Sequence, residues 1–361
     1  MHDALSRAGR RVRTDGRGEK KERALFPFFF LPREILHCYS AAATLLLLLP
    51  SSLRTPLVLW ARNKSAEGGD QHKLNYNPLL MLRRFTIAVV FAVAAFTVSA
   101  KRVVVLGANG RTGRIVVDLA AEKGYDVVAC TRNGELKEPV DPRFAKKVTS
   151  RAADVSDLSS LRDLRSDAVF FCASASKEGG SPAQVDNQGL VNTAQACIEQ
   201  GVPRLVVVSS GAVSKPLSPV YLFLNLFGGI MAAKAKGEEA VRTMYRTAPE
   251  KLGYTIVRPG GLTLEPPIGP EGIELNQCDE KSGRISRYDV AAVCLNSIDS
   301  PAASRVTIEC YNKDTGKPLS SVFMSNLFRM KSDASTAGAY ERRGSSWKEI
   351  FTGLVSDDKL V

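Results

Sequence analysis

Histidine is nearly missing from this chain of 361 residues. There are three, His2, His37 and His72, all close to the N-terminus. Histidine catalysis and a histidine metal site are therefore excluded from residue 101 onward. Cysteine is sparse as well. The seven, at positions 38, 130, 172, 197, 278, 294 and 310, are odd in number and form no CxxC pair. That argues against a disulfide framework or a zinc site. Several sit in apolar patterns such as VVAC and VFFCA, where a cysteine reads as a small buried hydrophobe. Long clean apolar runs are also lacking in residues 1–80, where prolines and charges interrupt every stretch. None reaches the roughly 18 residues that a membrane span needs. Finally, the net charge of +12 is unevenly placed: residues 1–100 hold 15 basic against 7 acidic side chains, and residues 101–361 hold 34 against 30. A body so nearly balanced lacks the electrostatic footprint of a nucleic-acid binder, so no nucleic-acid partner is expected.

What is present falls into four stretches. Residues 1–80, opening with the charged RAGRRVRTDGRGEKKER, read as a disordered extension. Residues 81–100, MLRRFTIAVVFAVAAFTVSA, have a methionine, two arginines, an apolar run and small residues at the end. This is the layout of a signal peptide, with cleavage sites after Ala95 or Ala100. A signal peptide begins at the true N-terminus, so Met81 is the expected natural start; an internal membrane anchor is the other reading. The VAAF junction resembles the signal-plus-transit leaders of algae with complex plastids, although almost no transit peptide would precede the first strand. Plastid or endomembrane entry is expected. Residues 101–325 form a single folded domain, and 326–361 a C-terminal tail with at most one short helix.

In the folded stretch, apolar strands alternate with helical patterns. KRVVVLG, YDVVACTR, DAVFFCA, RLVVVSS and YTIVRPG read as strands; RIVVDLAAEKG, NQGLVNTAQACIEQG and GEEAVRTMYRTAPEKLG read as helices. Continuous rather than alternating apolar strands imply burial on both faces, hence a parallel sheet covered by helices. The expected class is α/β: a doubly wound parallel sheet of the Rossmann type.

The strongest motif is VVVLGANGRTGRIVVDL, with Gly107, Gly110 and Gly113 between a strand and a helix. The first glycine permits the turn, the second lets the backbone approach a pyrophosphate, and the third lets the helix pack on the sheet. The helix N-terminus offers N–H groups to the phosphates, and Asn109, Arg111 and Thr112 belong to the same cradle. The second strand ends in Thr131, Arg132 and Asn133, with no carboxylate for a ribose 2′-hydroxyl. A guanidinium there suits a 2′-phosphate, and Arg111 could supply a second cation. NADP(H) is expected in preference to NAD(H); a merely solvated Arg132 is the alternative. Asp154 and Val155 are expected beside the adenine, Ala173 and Ser174 near the nicotinamide ribose, and Pro259, Gly260 and Gly261 over the carboxamide.

From about residue 101 to 312 the chain resembles the atypical short-chain dehydrogenase/reductase group of NAD(P)-binding domains. The residues carrying this are GANGRTGR, VVVSS, LNLFGGIMAAKAKGEEA, YTIVRPGGL and ISRYDVAAV. The likeness extends to flavin/biliverdin reductase B-like proteins and to the NADP-binding domain of a chloroplast protein-import (Tic-complex) subunit. In active members of the wider superfamily a Ser–Tyr–Lys set works the chemistry, the lysine lowering the tyrosine's pKa. The resemblance implies that Lys234 is the lysine, Glu238 the acid four residues on, and Ser209 or Ser210 the serine. Ile230 then fills the tyrosine position. Tyr221 does not replace it, because Asn225 rather than a lysine lies four residues beyond.

An isoleucine has no proton to give, which disfavours carbonyl reduction and nucleotide-sugar epimerisation. Two functions stay open. One is an NADPH-dependent oxidoreductase for a flavin-like or other conjugated small-molecule acceptor, with Lys234 hydrogen-bonding the nicotinamide ribose. The other is a non-catalytic NADP(H)-binding redox-sensing or scaffold module. Lys234 could also be a surface lysine paired with Glu238. The nearly uncharged VYLFLNLFGGIMAA, residues 220–233, could line an acceptor pocket, meet a membrane or protein partner, or pack in the core. Arg258 is read as structural, and no metal site is expected.

Overall fold

The computed structural model describes residues 100–176, 179–226, 228–319 and 340–360. The expected extension and the signal-like segment lie outside the described residues, apart from Ala100. Five parallel strands come first in the sheet: β1 (Arg102–Leu106), β2 (Asp126–Thr131), β3 (Val148–Ala152), β4 (Ala168–Phe171) and β5 (Arg204–Val208). β6 (Gly253–Pro259) follows; β7 (Gly261–Thr263) leaves the sheet, and β8 (Ile273–Asn276) returns as its edge. β9 (Lys281–Ser282) and β10 (Arg284–Ser286) lie outside, β11 (Val306–Asn312) re-enters, and β12 (Lys317–Pro318) pairs with β9. The sheet order is β3-β2-β1-β4-β5-β6-β11-β8, parallel throughout except for the β11–β8 pair. The order reverses at β1, between β2 and β4, and a crevice opens there beyond the strands' carboxyl ends.

Alternate residues of β1 explain the two layers. Val103 and Val105 join one core with Val116, Val117 and Ala120 of helix α1 (Arg111–Glu122). Val104 and Leu106 face the other core, with Leu190 and Ala194 of α2 (Leu190–Glu199). α3 (Pro219–Asn225) is a short helix whose start is fixed by Ser218, which accepts from the Tyr221 N–H, and by Pro219. α4 (Ile230–Arg246) adds Val241 and Tyr245 to the second core. α5 (Arg287–Ser297) covers the first face beside α1, through Val290, Ala291 and Val293. Each fully buried valine or leucine among these contributes about 1.5–3 kcal/mol.

Two expectations need correcting. The stretch after 326 does not end the domain: α6 (Trp347–Phe351) drives Ile350 and Phe351 into the first core. Asp357 then accepts from the Thr307 backbone N–H at 2.8 Å and from the Tyr254 hydroxyl at 2.9 Å. The expected helix over NQGLVNT is not uniform either, since Ala183–Gly189 form a π-helical turn before α2 begins. β3, α5 and everything else from β7 to β12 escape an apolar-run reading.

Candidate functional site

The loop between β1 and α1 is built as its glycines require. Gly107 has φ +81°, and a Cβ there would stand 2.7 Å from the Ala173 backbone nitrogen. A Cβ at Gly113 would stand 2.3 Å from the Gly107 carbonyl oxygen, so α1 sits where only glycine allows it. Gly110 occupies the N-cap of α1 and supplies no side chain to its first N–H groups. They face the crevice without a protein cap, the arrangement that receives a phosphate.

A cleft of about 640 Å³ opens at this point. It is lined by the loop (Gly107, Asn109, Gly110, Arg111), the end of β2 (Arg132), Asp154 with Val155, and Ala173 with Ser174. Nine of the expected cofactor residues are thus brought together. Thr112 and Gly113 lie in α1 behind the loop. Asn109 is a brace rather than a free donor: its amide donates to the Glu135 carbonyl at 2.9 Å, and its oxygen accepts from the Lys137 N–H at 2.9 Å. Asp154 accepts from the backbone N–H and hydroxyl of Ser156. Glu135 and Lys137 also line the cleft, and sequence reasoning gave neither a role. A further cation was missed. The guanidinium of Arg287, at the start of α5, donates to the Thr263 carbonyl. Burial, and then the charge of Arg111, holds it below its ordinary basicity. An anion bound beside Arg287 would offset that loss.

The other expected residues divide among different partners. Lys234 does not pair with Glu238 as its i,i+4 spacing allowed. Its ammonium, 12% exposed, meets the fully buried carboxylate of Asp186 at 2.8 Å. Asp186 also accepts from the Ser174 hydroxyl (2.7 Å) and the Ala175 N–H (2.9 Å), tying Lys234 to the cleft wall. Lys234 is also close enough to Cys172 to oppose the rise of that thiol, which burial pushes up to about 12. Glu238 belongs to a buried network at the ends of β5, β6 and β11. Ser209 donates to it at 2.5 Å, Arg258 at 2.6 Å and Arg242 at 2.8 Å. Arg258 also reaches Glu309 at 3.3 Å, in keeping with its structural reading. Burial works to raise the Glu238 carboxyl, but Arg258 and Arg242 overcome it and hold the group low. Ser209 and Lys234 are therefore held by different carboxylates, and the Ser210 hydroxyl donates to the Gly211 carbonyl.

Ile230, in the tyrosine's position, is half-buried and packs with Tyr221, Met231, Ala212 and Val213. Pro259, Gly260 and Gly261 are not part of the cleft's lining. A Cβ at Gly260 would fall 2.3 Å from the Gly283 carbonyl oxygen. A backbone crossing in the protein therefore requires that glycine, whatever lies above it. The 220–233 stretch is divided: Tyr221, Met231 and Ala233 are buried, while Leu222, Phe223 and Leu226 are more than half exposed. Among the described residues no group of His, Cys, Asp and Glu could hold a metal ion. Among them, too, no helix is long and apolar enough to cross a membrane.

A family model described as NAD(P)H-binding matches residues 107–301, from the loop's first glycine to just past α5. The chain belongs to this NAD(P)H-binding family. An uncharacterized chloroplastic protein of Arabidopsis thaliana is 35% identical over 224 residues, covering 59% of this chain and 77% of its own. An uncharacterized sugar epimerase of Bacillus subtilis is 26% identical, covering 59% and 95%. The chloroplastic divinyl chlorophyllide a 8-vinyl-reductase of rice, Oryza sativa, is 32% identical over 171 residues, with 44% of this chain and 39% of the rice protein covered. The family's relatives thus include proteins named as enzymes, one a reductase. The glycine loop, the uncapped start of α1 and the cations around them fit a dinucleotide.

Proposed function

We propose that this chain is an NADPH-dependent oxidoreductase that reduces a flavin-like or other conjugated acceptor without the superfamily's tyrosine. Plastid localisation is part of the proposal, supported by the chloroplastic relatives. The observation that carries it is a cleft joining the glycine loop, Arg111 and Arg132 at one end to Ser174 at the other, with Lys234 held just behind through Asp186. When bound, NADPH supplies a hydride. The chain's own part is to hold and orient. Arg132 and Arg111 take the 2′-phosphate, an anion whose geometry suits a guanidinium. The first N–H groups of α1 take the pyrophosphate. Lys234 donates to the nicotinamide ribose. Ile230 has no proton to donate, so the acceptor must be one whose reduced form needs no acid beside it. Holding two flat rings together then supplies much of the rate.

NADPH oxidation with FMN, FAD or a quinone tests this reading. Turnover should fall roughly tenfold or more in K234M, because orientation is lost. Tight NADPH binding without turnover across the acceptor panel would contradict it. That outcome would select the second reading, a non-catalytic NADP(H)-responsive module that meets a protein or membrane. The exposed apolar side chains around α3 favour this alternative, with Leu217 at 89% and Leu226 at 80% exposure.

A further inference from the structure

We propose that Asp186 is the positioning residue of this site. Its carboxylate fixes the Lys234 ammonium and the backbone turn after β4, so that both meet the ribose end of bound NADP(H). This rests on the cofactor reading above and adds a residue that neither the glycine loop nor the Ser–Tyr–Lys pattern points to.

Asp186 has no exposed side-chain surface. A carboxylate so buried is tolerated only when its oxygens are fully engaged. Here one oxygen takes Lys234 Nζ and Ser174 Oγ, and the other takes the Ala175 N–H. Those donors come from two separate pieces of the fold, α4 and the turn after β4. Ser174 lines the cleft, so the carboxylate connects the cleft wall to Lys234.

Two backbone features hold it there. Asp186 lies within the π-helical Ala183–Gly189, a turn that shifts side-chain register relative to the α-helix that follows. Across from it, a Cβ at Gly237 would stand 2.6 Å from the Asp186 carbonyl oxygen. α4 therefore presses onto this turn at a distance only glycine permits. Lys234, three residues before Gly237, lies on the same face of α4 and is brought to the carboxylate by that approach. A lysine ammonium on a flexible four-carbon stem needs such an anchor to serve one hydrogen-bond position. With isoleucine at position 230, no phenol shares that task.

Calorimetric NADPH titration of the whole protein, D186N, K234M and D186N/K234M tests the proposal. Asparagine keeps one oxygen, which the Ala175 N–H requires, and puts an NH2 that cannot accept where the other oxygen met lysine. Affinity should fall roughly tenfold in D186N and in K234M, while the double variant stays within about twofold of K234M. A role in stability alone would lower the melting temperature but leave NADPH affinity intact in D186N, overturning the proposal. Additive losses in the double variant would also overturn it. Should D186N not fold, because its lysine is left without a partner, K234M and the double variant decide. Equal affinities support the proposal; a further tenfold loss in the double contradicts it. Failure of the unaltered protein to bind NADPH would instead bring down the cofactor reading itself.

Discussion

The two ends of the sheet use charge in opposite ways. Beyond β1 and β2, Arg111 and Arg132 stand exposed on a cleft floored by glycines. Beyond β5, β6 and β11, Arg258 is buried among Glu238, Asp279 and Glu309, with Arg242 and Ser209 completing the set. Charge stays exposed around the proposed nucleotide cleft. It is internalised where three strands and α4 must be held in register. The second region holds Ser209, one of the two serines that the resemblance offered, and here Ser209 serves the network. In the proposed reading the first region carries the nucleotide; the second ties α4 to β6 and β11 through Arg258. Changes in one should leave the other's readout alone.

The largest effect should come from Arg258→Met. It removes the cation shared by several buried carboxylates and should cost roughly 3–5 kcal/mol of stability. Thermal unfolding measures this, while NADPH affinity of the remaining folded protein should stay near its starting value. Glu309→Gln should act next, and in the other direction. Burial pushes the Glu309 carboxyl up to about 8, with Arg258 opposing and Asp279 adding to the rise. Its folded pKa therefore lies above the ordinary 4.5. The stability it contributes is complete below about pH 4.5 and is lost as pH rises through 8. Glutamine cannot ionise, so the melting temperature of E309Q should gain on that of the unaltered protein from pH 5 to pH 9. A constant difference would refute the buried-acid assignment.

The cleft side breaks in the reverse sense. Gly113→Ala forces a methyl group to within 2.3 Å of the Gly107 carbonyl oxygen. Parting α1 from the loop should weaken NADPH binding roughly a hundredfold by calorimetry, because the phosphate cradle depends on that contact. The smallest effect belongs to Ser209→Ala. Loss of its bond to Glu238 should cost about 1 kcal/mol in thermal unfolding, with NADPH turnover almost unchanged. A large fall in turnover without a stability change would return Ser209 to the chemistry and blur the contrast.

Much of the parallel sheet could be read in the sequence because β1, β2, β4, β5 and β6 are buried on both faces and so leave continuous apolar runs. β3, VTSRA, is a half-exposed edge and leaves none. β11, VTIECYN, carries Glu309, which a hydropathy pattern assigns to solvent although it is buried. α5 is buried nearly all round, Arg287 and Asp289 included, so it shows no helical stripe. In the site, the glycine loop was legible because its residue types are forced by local backbone geometry. Asp186 and Arg287 were not, since their roles arise from contacts across the fold. The only local hint at Asp186 is an acid set between Val185 and Gly189 in an otherwise buried helix face. Lys234 stood out in the sequence, with pairing to Glu238 as its alternative reading; the approach at Gly237 delivers it to Asp186 instead.

The most direct measurement is a pair of calorimetric titrations, NADPH and NADH, on the purified protein and on R132A. NADPH should bind at least about tenfold more tightly than NADH, and R132A should abolish that margin, as expected for loss of a charge-assisted phosphate contact. Equal binding of the two nucleotides, a preference for NADH, or a margin that survives in R132A would contradict the account.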